Sequence, residues 1–375
     1  MKRFFAIATS VTMVFALSAC GGDSAAEQPT AEEPVAEEPT ADEPAEETAE
    51  EEPAQEDIKI AVVRNLPSDD HTAQFLNGAK TEGESFGYEV DTFISNGDDA
   101  KFQELVAQQI EKGYDGLIIS HGKLEYSNAM LQPALDKGIE VVTFDTVFED
   151  DIIPEGITST SQDDLALAEL SLDEIVASSE NSPAKVIKLW YGPGVPPLDR
   201  RDVVYRKYEE EGLIETVEFI GPSTLDDVQG EVTTRVAAVL PKYAEGEVDA
   251  MWGSWDELAK GGLNALNEAN RKDINLVSID VSNQDINFMT EPDSIWSATA
   301  AVDPTLIGQV NMRILAKKLN DEETPETYDL AAHLIKAEDL SEDTTMANLI
   351  DVVPGWGVSD AFNEPWMDEL REANK

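Results

Sequence analysis

The sequence predicts an α/β protein built from two lobes, each a doubly wound parallel sheet. Three observations support this: strand-like apolar runs alternate with amphipathic helical stretches, several helical stretches end at glycine, and about 320 residues follow Asp57. Strands that alternate with helices at this spacing form parallel sheets with helices on both faces. One hydrophobic core rarely organises so long a chain, so we expect two domains.

Nine apolar runs have the length and side-chain composition of strands. They span residues 58–63, 88–94, 116–120, 140–144, 184–190, 217–221, 248–253, 274–279 and 296–302. Seven stretches between them have the helical period, at residues 73–87, 100–113, 164–178, 202–212, 230–246, 256–270 and 304–319. Gly87, Gly113 and Gly138 stand where helical stretches end, which predicts left-handed helix caps.

The first 19 residues predict an export signal, with a basic start, a compact apolar run and small residues before Cys20. The apolar run is shorter than the roughly 20 residues that span a bilayer. Cys20 is the only cysteine in the chain, so it cannot form an intramolecular disulfide. Residues 17–21, "LSACG", resemble the bacterial lipobox, which implies that Cys20 is acylated. The alternative is an ordinary secretory signal with a stray cysteine.

Residues 20–57 predict an acidic disordered tether. From residue 23 onward this segment contains fifteen acids and no basic residue, with too little apolar surface to offset the entropy of ordering. The whole chain has a formal charge of −51. Leaving out the two basic residues of the leader and these fifteen acids gives 24 basic against 62 acidic residues, or −38. Nucleic-acid phosphates would be repelled, which excludes nucleic-acid binding.

Polar residues follow most of the predicted strands, where ligands of open parallel sheets bind. They are Arg64, Asn65, Ser120, His121, Asp145, Tyr191, Ser254, Trp255, Asp256 and Asp280. Arg200 and Arg201 open a helix after the loop "YGPGVPPLD". Carboxylates accept from hydroxyl groups, guanidinium groups donate to oxygens, and an indole covers the C–H face of a sugar. This set predicts a polyhydroxylated ligand.

The chain resembles the sugar-type solute-binding lipoproteins of ABC transporters, the ribose- and galactose-binding or periplasmic binding protein type I family. The resemblance rests on "GYDGLIIS", "GIEVVTFD", "VDAMWGSWDELAKGGLNAL", "INLVSID" and "SATAAVDPTLIGQVNMRIL" and covers nearly all of residues 58–337. It implies that Asp145 and Asp280 bind sugar hydroxyls and that Arg201, or its neighbour Arg200, donates to the ligand.

The sequence departs from this family at several ligand positions. Trp255 and Asp256 replace an Asn-Asp step, and Val302 followed by Asp303 replaces a hinge glutamine. The first loop lacks the paired phenylalanines of ribose binders, which leaves three possible ligand contacts in that loop, namely Asn65, Asp69 and His71. We expect Trp255 and Asp303 to contribute to a pocket that is not a simple ribose site.

Each of these positions also has a structural alternative. Asp145 and Asp280 suit helix caps or loop braces, Asp256 suits the N-cap of the helix at 256–270, and Arg201 suits a pair with one of the many acids. The three histidines of the chain show no metal-ligand spacing, so we predict neither a metal nor a cofactor. No nucleophile elbow, dinucleotide fingerprint or Walker sequence indicates an enzyme.

The resemblance implies two lobes joined by a three-strand hinge. It places residues 58–160 and 303–332 in an N-terminal lobe, and residues 161–302 and 333–375 in a C-terminal lobe that includes a C-terminal extension. We expect a monomer, lipid-anchored at Cys20 outside the cytoplasm, that carries a monosaccharide or polyol to ABC permease subunits. The alternative is a sensory protein that presents a sugar or autoinducer-like ligand to a membrane receptor.

Overall fold

The computed structural model describes residues 58–192, 194–224 and 226–375. Within these ranges the chain forms two six-stranded sheets, each flanked by helices. The predicted α/β fold with two doubly wound lobes is confirmed. The predicted leader and tether, and Cys20 with them, lie outside the described residues.

Sheet one is entirely parallel, with strand order β11-β5-β4-β3-β1-β2. Its central strands are buried on both faces: Ile60 and Val62 of β1 belong to one apolar cluster, and Ala61 and Val63 belong to another. Such burial explains why these strands read as continuous apolar runs. The strands are β1 (Lys59–Arg64), β2 (Glu89–Ile94), β3 (Gly116–Ser120), β4 (Glu140–Phe144), β5 (Ile157–Gln162) and β11 (Thr327–Leu330).

Four helices cover sheet one and complete lobe one. They are α1 (Asp70–Ser85) and α9 (Pro304–Leu319), which pack against each other, and α2 (Asp99–Lys112) and α3 (Ser127–Asp136), which also pack together. Gly87, Gly113 and Gly138 all have positive φ, between 72° and 86°, so the predicted left-handed conformation is confirmed. Each lies just past a helix, where it turns the chain toward the next strand of the sheet.

Sheet two has strand order β12-β10-β9-β8-β6-β7 and is parallel except for the edge strand β12, which is antiparallel to β10. Its strands are β6 (Ala184–Leu189), β7 (Ile214–Ile220), β8 (Ala250–Gly253), β9 (Asn275–Ile279), β10 (Trp296–Ala301) and β12 (His333–Lys336). The helices of lobe two are α4 (Asp164–Ser178), α5 (Pro196–Glu210), α6 (Val228–Val239), α7 (Asp256–Glu268) and α8 (Asn283–Thr290).

Three connections form the hinge between the lobes. β5 of sheet one continues to Gln162 and leads into α4, β10 of sheet two leads into α9 of lobe one, and β11 leads into β12. These segments are the three strands of the hinge. Since β5 and β10 enter the hinge at their carboxyl ends, the carboxyl ends of both parallel sheets border the space between the lobes.

The C-terminal extension divides between the two lobes. Residues 346–356 include a short 3-10 helix (Met346–Asp351), and Leu349 and Trp356 from this segment are buried in the core of lobe two. Gly357, with φ of 67°, then passes so close to Asp303 that a Cβ would lie 2.7 Å from its carboxylate. This close approach explains a glycine at that position.

After Gly357 the chain packs on lobe one. The carbonyl of Ser359 accepts from Arg313 of α9 at 2.7 Å, and Lys317 of α9 pairs with Glu364. Helix α10 (Pro365–Ala373) follows; its Arg371 pairs with Glu82 of α1 at 2.6 Å, and its Met367 is buried in an apolar cluster that includes residues of α1 and α9. The prediction that the whole extension packs along lobe two is therefore wrong for residues 359–374, because the cations and apolar surface that satisfy this segment belong to lobe one.

Candidate ligand-binding cleft

The carboxyl ends of the two sheets face each other across a cleft that is closed at several points. At its lip, Asn283 of α8 donates from Nδ2 to Asp70 Oδ2 of α1 at 2.8 Å. Deeper in the cleft, Arg200 of α5 lies 3.6 Å from Asp145, which follows β4. A cavity of about 100 Å³ lies beside this pair, lined by residues 145–147, 159–161, 196, 197 and 200.

Arg201 holds the lobe-two side of the cleft together. Its guanidinium is only 2% exposed and donates from Nε to Asp164 at 2.8 Å and from Nη1 to Asp280 at 3.0 Å. Nη1 also donates to the Ser254 carbonyl at 2.7 Å. The two carboxylates raise the pKa of Arg201 against the opposing effect of burial. The guanidinium therefore stays charged and orients Asp280 at the cleft.

Asp145 is the cleft residue whose hydrogen bonding is least complete. Its side chain is 5% exposed, and its Oδ1 is sealed from solvent without a hydrogen-bond partner among the described residues. Burial, together with the nearby Asp164 carboxylate, raises the pKa of Asp145 to about 7, although Arg200 acts in the opposite direction. Its φ of 45° is a left-handed backbone conformation, which non-glycine residues adopt at a cost. A buried carboxylate oxygen in this state requires a donor, such as a hydroxyl group.

The lobe-one wall of the cleft contains Arg64, His71 and His121. Arg64 is fully buried at the end of β1 and lies 4.6 Å from the ring of Phe75. Its Nη2 contacts His71 Nδ1 at 2.8 Å, and its Nη1 donates to the Ser120 hydroxyl at 3.0 Å. Burial and the positive charge of Arg64 lower the pKa of His71 to about 3 and that of His121 well below its usual value. Both imidazoles are neutral at physiological pH.

Two residues of the first loop are engaged within lobe one. Asn65 is 3% exposed and donates from Nδ2 to Asp99 at 2.8 Å and to the Tyr126 hydroxyl at 3.0 Å. Asp69 is the N-cap of α1 and accepts from the amide of Thr72 at 2.7 Å. Both side chains thus stabilise the loop that leads into α1 and His71. Their contact with a ligand stays a prediction.

Trp255 and Asp256 lie where β8 passes into α7. Trp255 occupies the N-cap position of α7, so the interpretation of Asp256 as the N-cap is wrong by one residue. Asp256 instead accepts from Lys260 at 2.7 Å, and Lys260 also lies 3.3 Å from Asp285. Burial and the neighbouring Asp285 raise the pKa of Asp256 well above its ordinary value. The ring of Trp255 is partly buried against the lobe-two core.

Asp303 lies in the second hinge segment. Its carboxylate caps α9 by accepting from the Thr305 amide at 2.8 Å, and its burial raises its pKa. Asp303 thus has a structural partner in lobe one, and its predicted ligand contact is untested. The polar contacts of the described chain instead bring together Asp145, Arg200, Arg201 and Asp280, which the sequence analysis selected.

Two members of the cleft have roles that the sequence did not indicate. Arg64 belongs to the predicted set of polar residues at strand ends, but its full burial and its link to two histidines depend on the fold. Asp164 accepts from Arg200 Nη2 at 2.6 Å and from Arg201 Nε at 2.8 Å. It opens α4 and lies more than 30 residues from either arginine in sequence, so no local pattern indicates this contact.

A family profile described as "Periplasmic binding protein domain" matches residues 60–323. The chain belongs to this family. Periplasmic binding proteins capture solutes outside the cytoplasm for transport, and the two-lobed structure with its hinge and cleft is that of the family. A search of curated proteins finds no match to the chain. Among residues 58–192, 194–224 and 226–375, no helix is both long and apolar enough for a membrane span.

Several solved structures are similar to this chain over most of its length. A sugar ABC transporter protein from Yersinia enterocolitica is 44% identical, with 86% of this chain and 96% of that chain covered and a TM-score of 0.74. A 5-methylthioribose transporter solute-binding protein from Thermotoga lettingae, in complex with 5-methylthioribose, is 28% identical, with coverages of 84% and 97% and a TM-score of 0.71. A glucose-galactose binding protein from Geobacillus stearothermophilus, 16% identical with a TM-score of 0.64 over 76% and 99% of the chains, shares the fold.

Proposed function

We propose that this periplasmic binding protein captures a small neutral polyhydroxylated ligand, a monosaccharide or polyol, between its lobes and delivers it to an ABC permease. The observation that carries the proposal is the buried Oδ1 of Asp145, which has no hydrogen-bond partner in the part of the chain that the structure describes. It lies beside Arg200 across the cleft, so a hydroxyl donor bound there contacts both lobes at once. Burial of that ligand shifts the open-to-closed equilibrium toward the closed form.

Charge balance in the cleft supports a neutral ligand. Arg200 and Arg201 both donate to Asp164, Arg201 also pairs with Asp280, and Arg200 faces Asp145. Arg64 adds one further positive charge on the opposite wall, and the pKa of Asp145 is about 7, so these three guanidinium groups and three carboxyl groups balance to within one unit of charge. A phosphorylated sugar would need an excess of cations and an amine would need an excess of carboxylates, so hydroxyl groups suit this set best.

The relatives support the same ligand class. The protein from Yersinia enterocolitica is named for sugar transport, and the one from Thermotoga lettingae holds a modified ribose. Trp255 at the start of α7 provides an indole that can cover the C–H face of such a ring. In this proposal Asp145 and Asp280 accept from ligand hydroxyls, while Arg200 and Arg201 donate to ligand oxygens.

A thermal-shift panel tests this function. The panel contains D-ribose, D-xylose, D-galactose, D-glucose, 5-methylthioribose, allitol, glycerol, a nucleoside and several amino acids. We expect at least one neutral sugar or polyol to raise the melting temperature, since a ligand at free concentration L that binds only the folded state stabilises it by RT ln(1 + L/Kd). A rise with amino acids alone would contradict the proposed ligand class.

Two variants then test the carboxylates against a matched control. Asp145→Ala and Asp280→Ala each remove an acceptor, and a hydrogen bond to a charged group contributes about 1.5–3 kcal/mol. We expect titration calorimetry to show affinity for the panel sugar weakened at least about tenfold in both variants. Asp136→Ala is the control, because this exposed aspartate ends α3 away from the cleft. Affinities that match the control would assign Asp145 and Asp280 to structural roles.

We also propose that the protein is anchored by an acyl chain on Cys20 after removal of residues 1–19, with residues 20–57 as an acidic tether. Support comes from the sequence "LSACG" and the acidic, proline-containing segment that follows it. A Cys20→Ala variant expressed in a bacterial host should no longer incorporate labelled palmitate and should leave the membrane fraction. Unchanged labelling would contradict the anchor.

A further inference from the structure

The buried guanidinium of Arg64 is linked to both histidines of the lobe-one wall. It touches the His71 ring directly, through Nη2 and Nδ1 at 2.8 Å. It reaches His121 through one intermediate, because Nη1 donates to Ser120 Oγ at 3.0 Å and Ser120 Oγ lies 2.7 Å from His121 Nδ1. Arg64 and Ser120 are both fully buried, and Thr72 holds Arg64 Nε at 3.1 Å.

The first link fixes where the His71 proton resides. A guanidinium only donates, so His71 Nδ1 must be the ring nitrogen without a hydrogen. In a neutral imidazole the other nitrogen then carries the proton. His71 is neutral because burial and Arg64 disfavour its charged form. His71 therefore exists as the Nε2–H tautomer.

The second link fixes His121 in the same way. Ser120 Oγ accepts from Arg64, so its single hydrogen is left to donate, and the partner within reach is His121 Nδ1. A hydrogen on His121 Nδ1 would leave the buried serine hydroxyl without an acceptor, which is costly. His121 is also held in place by its left-handed backbone, with φ of 64°, and by edge contact with Phe144.

Both Nε2 atoms are available to a ligand. Neither makes a hydrogen bond to any residue of the ranges that the structure describes, and neither is sealed from solvent. His71 lies in the first turn of α1, beside Asp70, which contacts lobe two. His121 directly follows β3, at the edge of sheet one that borders the cleft.

We propose that Arg64 is a positioning residue that sets His71 and His121 as paired neutral Nε2–H donors, so that lobe one binds acceptor oxygens of the ligand. This inference rests on the proposed sugar-binding function for its ligand and deepens it. Asp145 and Asp280 accept from ligand hydroxyl groups, whereas the two imidazole N–H groups donate and therefore suit oxygens that can only accept, such as a ring, ether or carbonyl oxygen. A cyclic sugar fits this division better than an open-chain polyol does.

Nitrogen NMR on protein with ¹⁵N-labelled histidine tests the tautomers without any ligand. The chain has three histidines, so a His333→Gln variant identifies the third signal. At pH 7 we expect the long-range ¹H–¹⁵N correlation pattern of the neutral Nε2–H form for both His71 and His121. A pattern of the Nδ1–H form, of the imidazolium or of a tautomer mixture for either residue would overturn the proposal.

Two variants separate positioning from general support of the fold. Ser120→Ala removes only the hydroxyl group that links Arg64 to His121. His121 should therefore become a mixture of tautomers, while His71 keeps its pattern. Arg64→Lys retains the positive charge but lacks the planar guanidinium whose two Nη atoms bond Ser120 and His71. The patterns of both histidines should therefore change. If Ser120→Ala leaves the His121 pattern intact, Arg64 does not set that tautomer, and this result needs no Arg64 variant to fold.

The same histidine NMR signals test whether His71 and His121 contact the ligand. With the panel compound that raises the melting temperature most, both Nε2 resonances should shift, and a cyclic sugar should bind at least tenfold more tightly than the polyol of the same carbon number. A bound sugar that leaves both resonances in place overturns the donor role. A panel without any binder contradicts the proposed function, while the tautomer result is decided separately.

Discussion

The two adjacent arginines of α5 give a direct test of the cleft's electrostatics. Arg201→Met removes a guanidinium that is 2% exposed and holds Asp164, Asp280 and the Ser254 carbonyl. Removing one partner of a buried ion pair costs about 3–5 kcal/mol, because the other charge stays buried without compensation. Arg200→Met is the matched control, since its side chain is 41% exposed and bonds to the same Asp164. We expect the control to lose about 1 kcal/mol or less.

Urea unfolding followed by tryptophan fluorescence, and thermal unfolding, measure both losses. For a folded part of about 320 residues, an unfolding entropy of about 2.1 cal/mol/K per residue makes 1 kcal/mol correspond to about 1.5 °C in Tm. Arg201→Met should therefore lower Tm by about 4–8 °C, and Arg200→Met by about 1.5 °C or less. Equal losses in the two variants, or a loss below about 1 kcal/mol for Arg201→Met, would refute the reasoning that Arg201 is the buried link between the carboxylates.

Two further predictions concern a buried acid and the C-terminal helix. The pKa of Asp145 is raised from 3.8 to about 7, so its protonated form contributes stability that is complete below about pH 4 and is lost as the pH rises through 7. The stability gain of Asp145→Asn over the wild type should grow from pH 4 to pH 8, up to about 4 kcal/mol, and a gain that does not change with pH contradicts this. Arg371→Ala removes a 2.6 Å pair with Glu82 and should cost about 1–2 kcal/mol in thermal unfolding, whereas Lys375→Ala, which removes an exposed pair, should cost nothing measurable. Equal effects of the two substitutions would show that α10 does not stabilise lobe one.

The central strands and long helices could be predicted from the sequence because they bury apolar side chains with a regular period. All nine predicted strands and seven predicted helices have counterparts in the structure. The strands that were missed lie at or beside the hinge. β5 has the sequence "ITSTSQ", in which hydroxyl side chains replace an apolar run, while β11 and β12 have four residues each. Among the missed helices, α3 contains Pro133 and α8 has eight residues.

The sequence predicts those cleft residues whose position follows from the sheet topology alone. The rule that ligands bind beyond the carboxyl ends of parallel strands selected Asp145 and Asp280, Arg201 was added as a residue that opens the following helix, and the structure places the three around one cleft. A polar residue at a strand end can equally cap the helix that follows, and Asp69 and Asp303 do so. Sequence alone does not separate these roles, because both need a carboxylate at the same position in the chain.

The distribution of contacts in the cleft explains how a small ligand can control closure. The strongest contacts, those of Arg201 and Arg64, lie within a single lobe, so each wall is already organised before the lobes meet. The described contacts across the cleft are fewer: an exposed hydrogen bond between Asn283 and Asp70, and a 3.6 Å approach of the partly exposed Arg200 to the buried Asp145 carboxylate. The protein itself therefore makes few of the contacts that favour closure. A ligand whose contacts with the closed form add a few kcal/mol decides the equilibrium, since a shift from 1:99 to 99:1 needs about 5.5 kcal/mol.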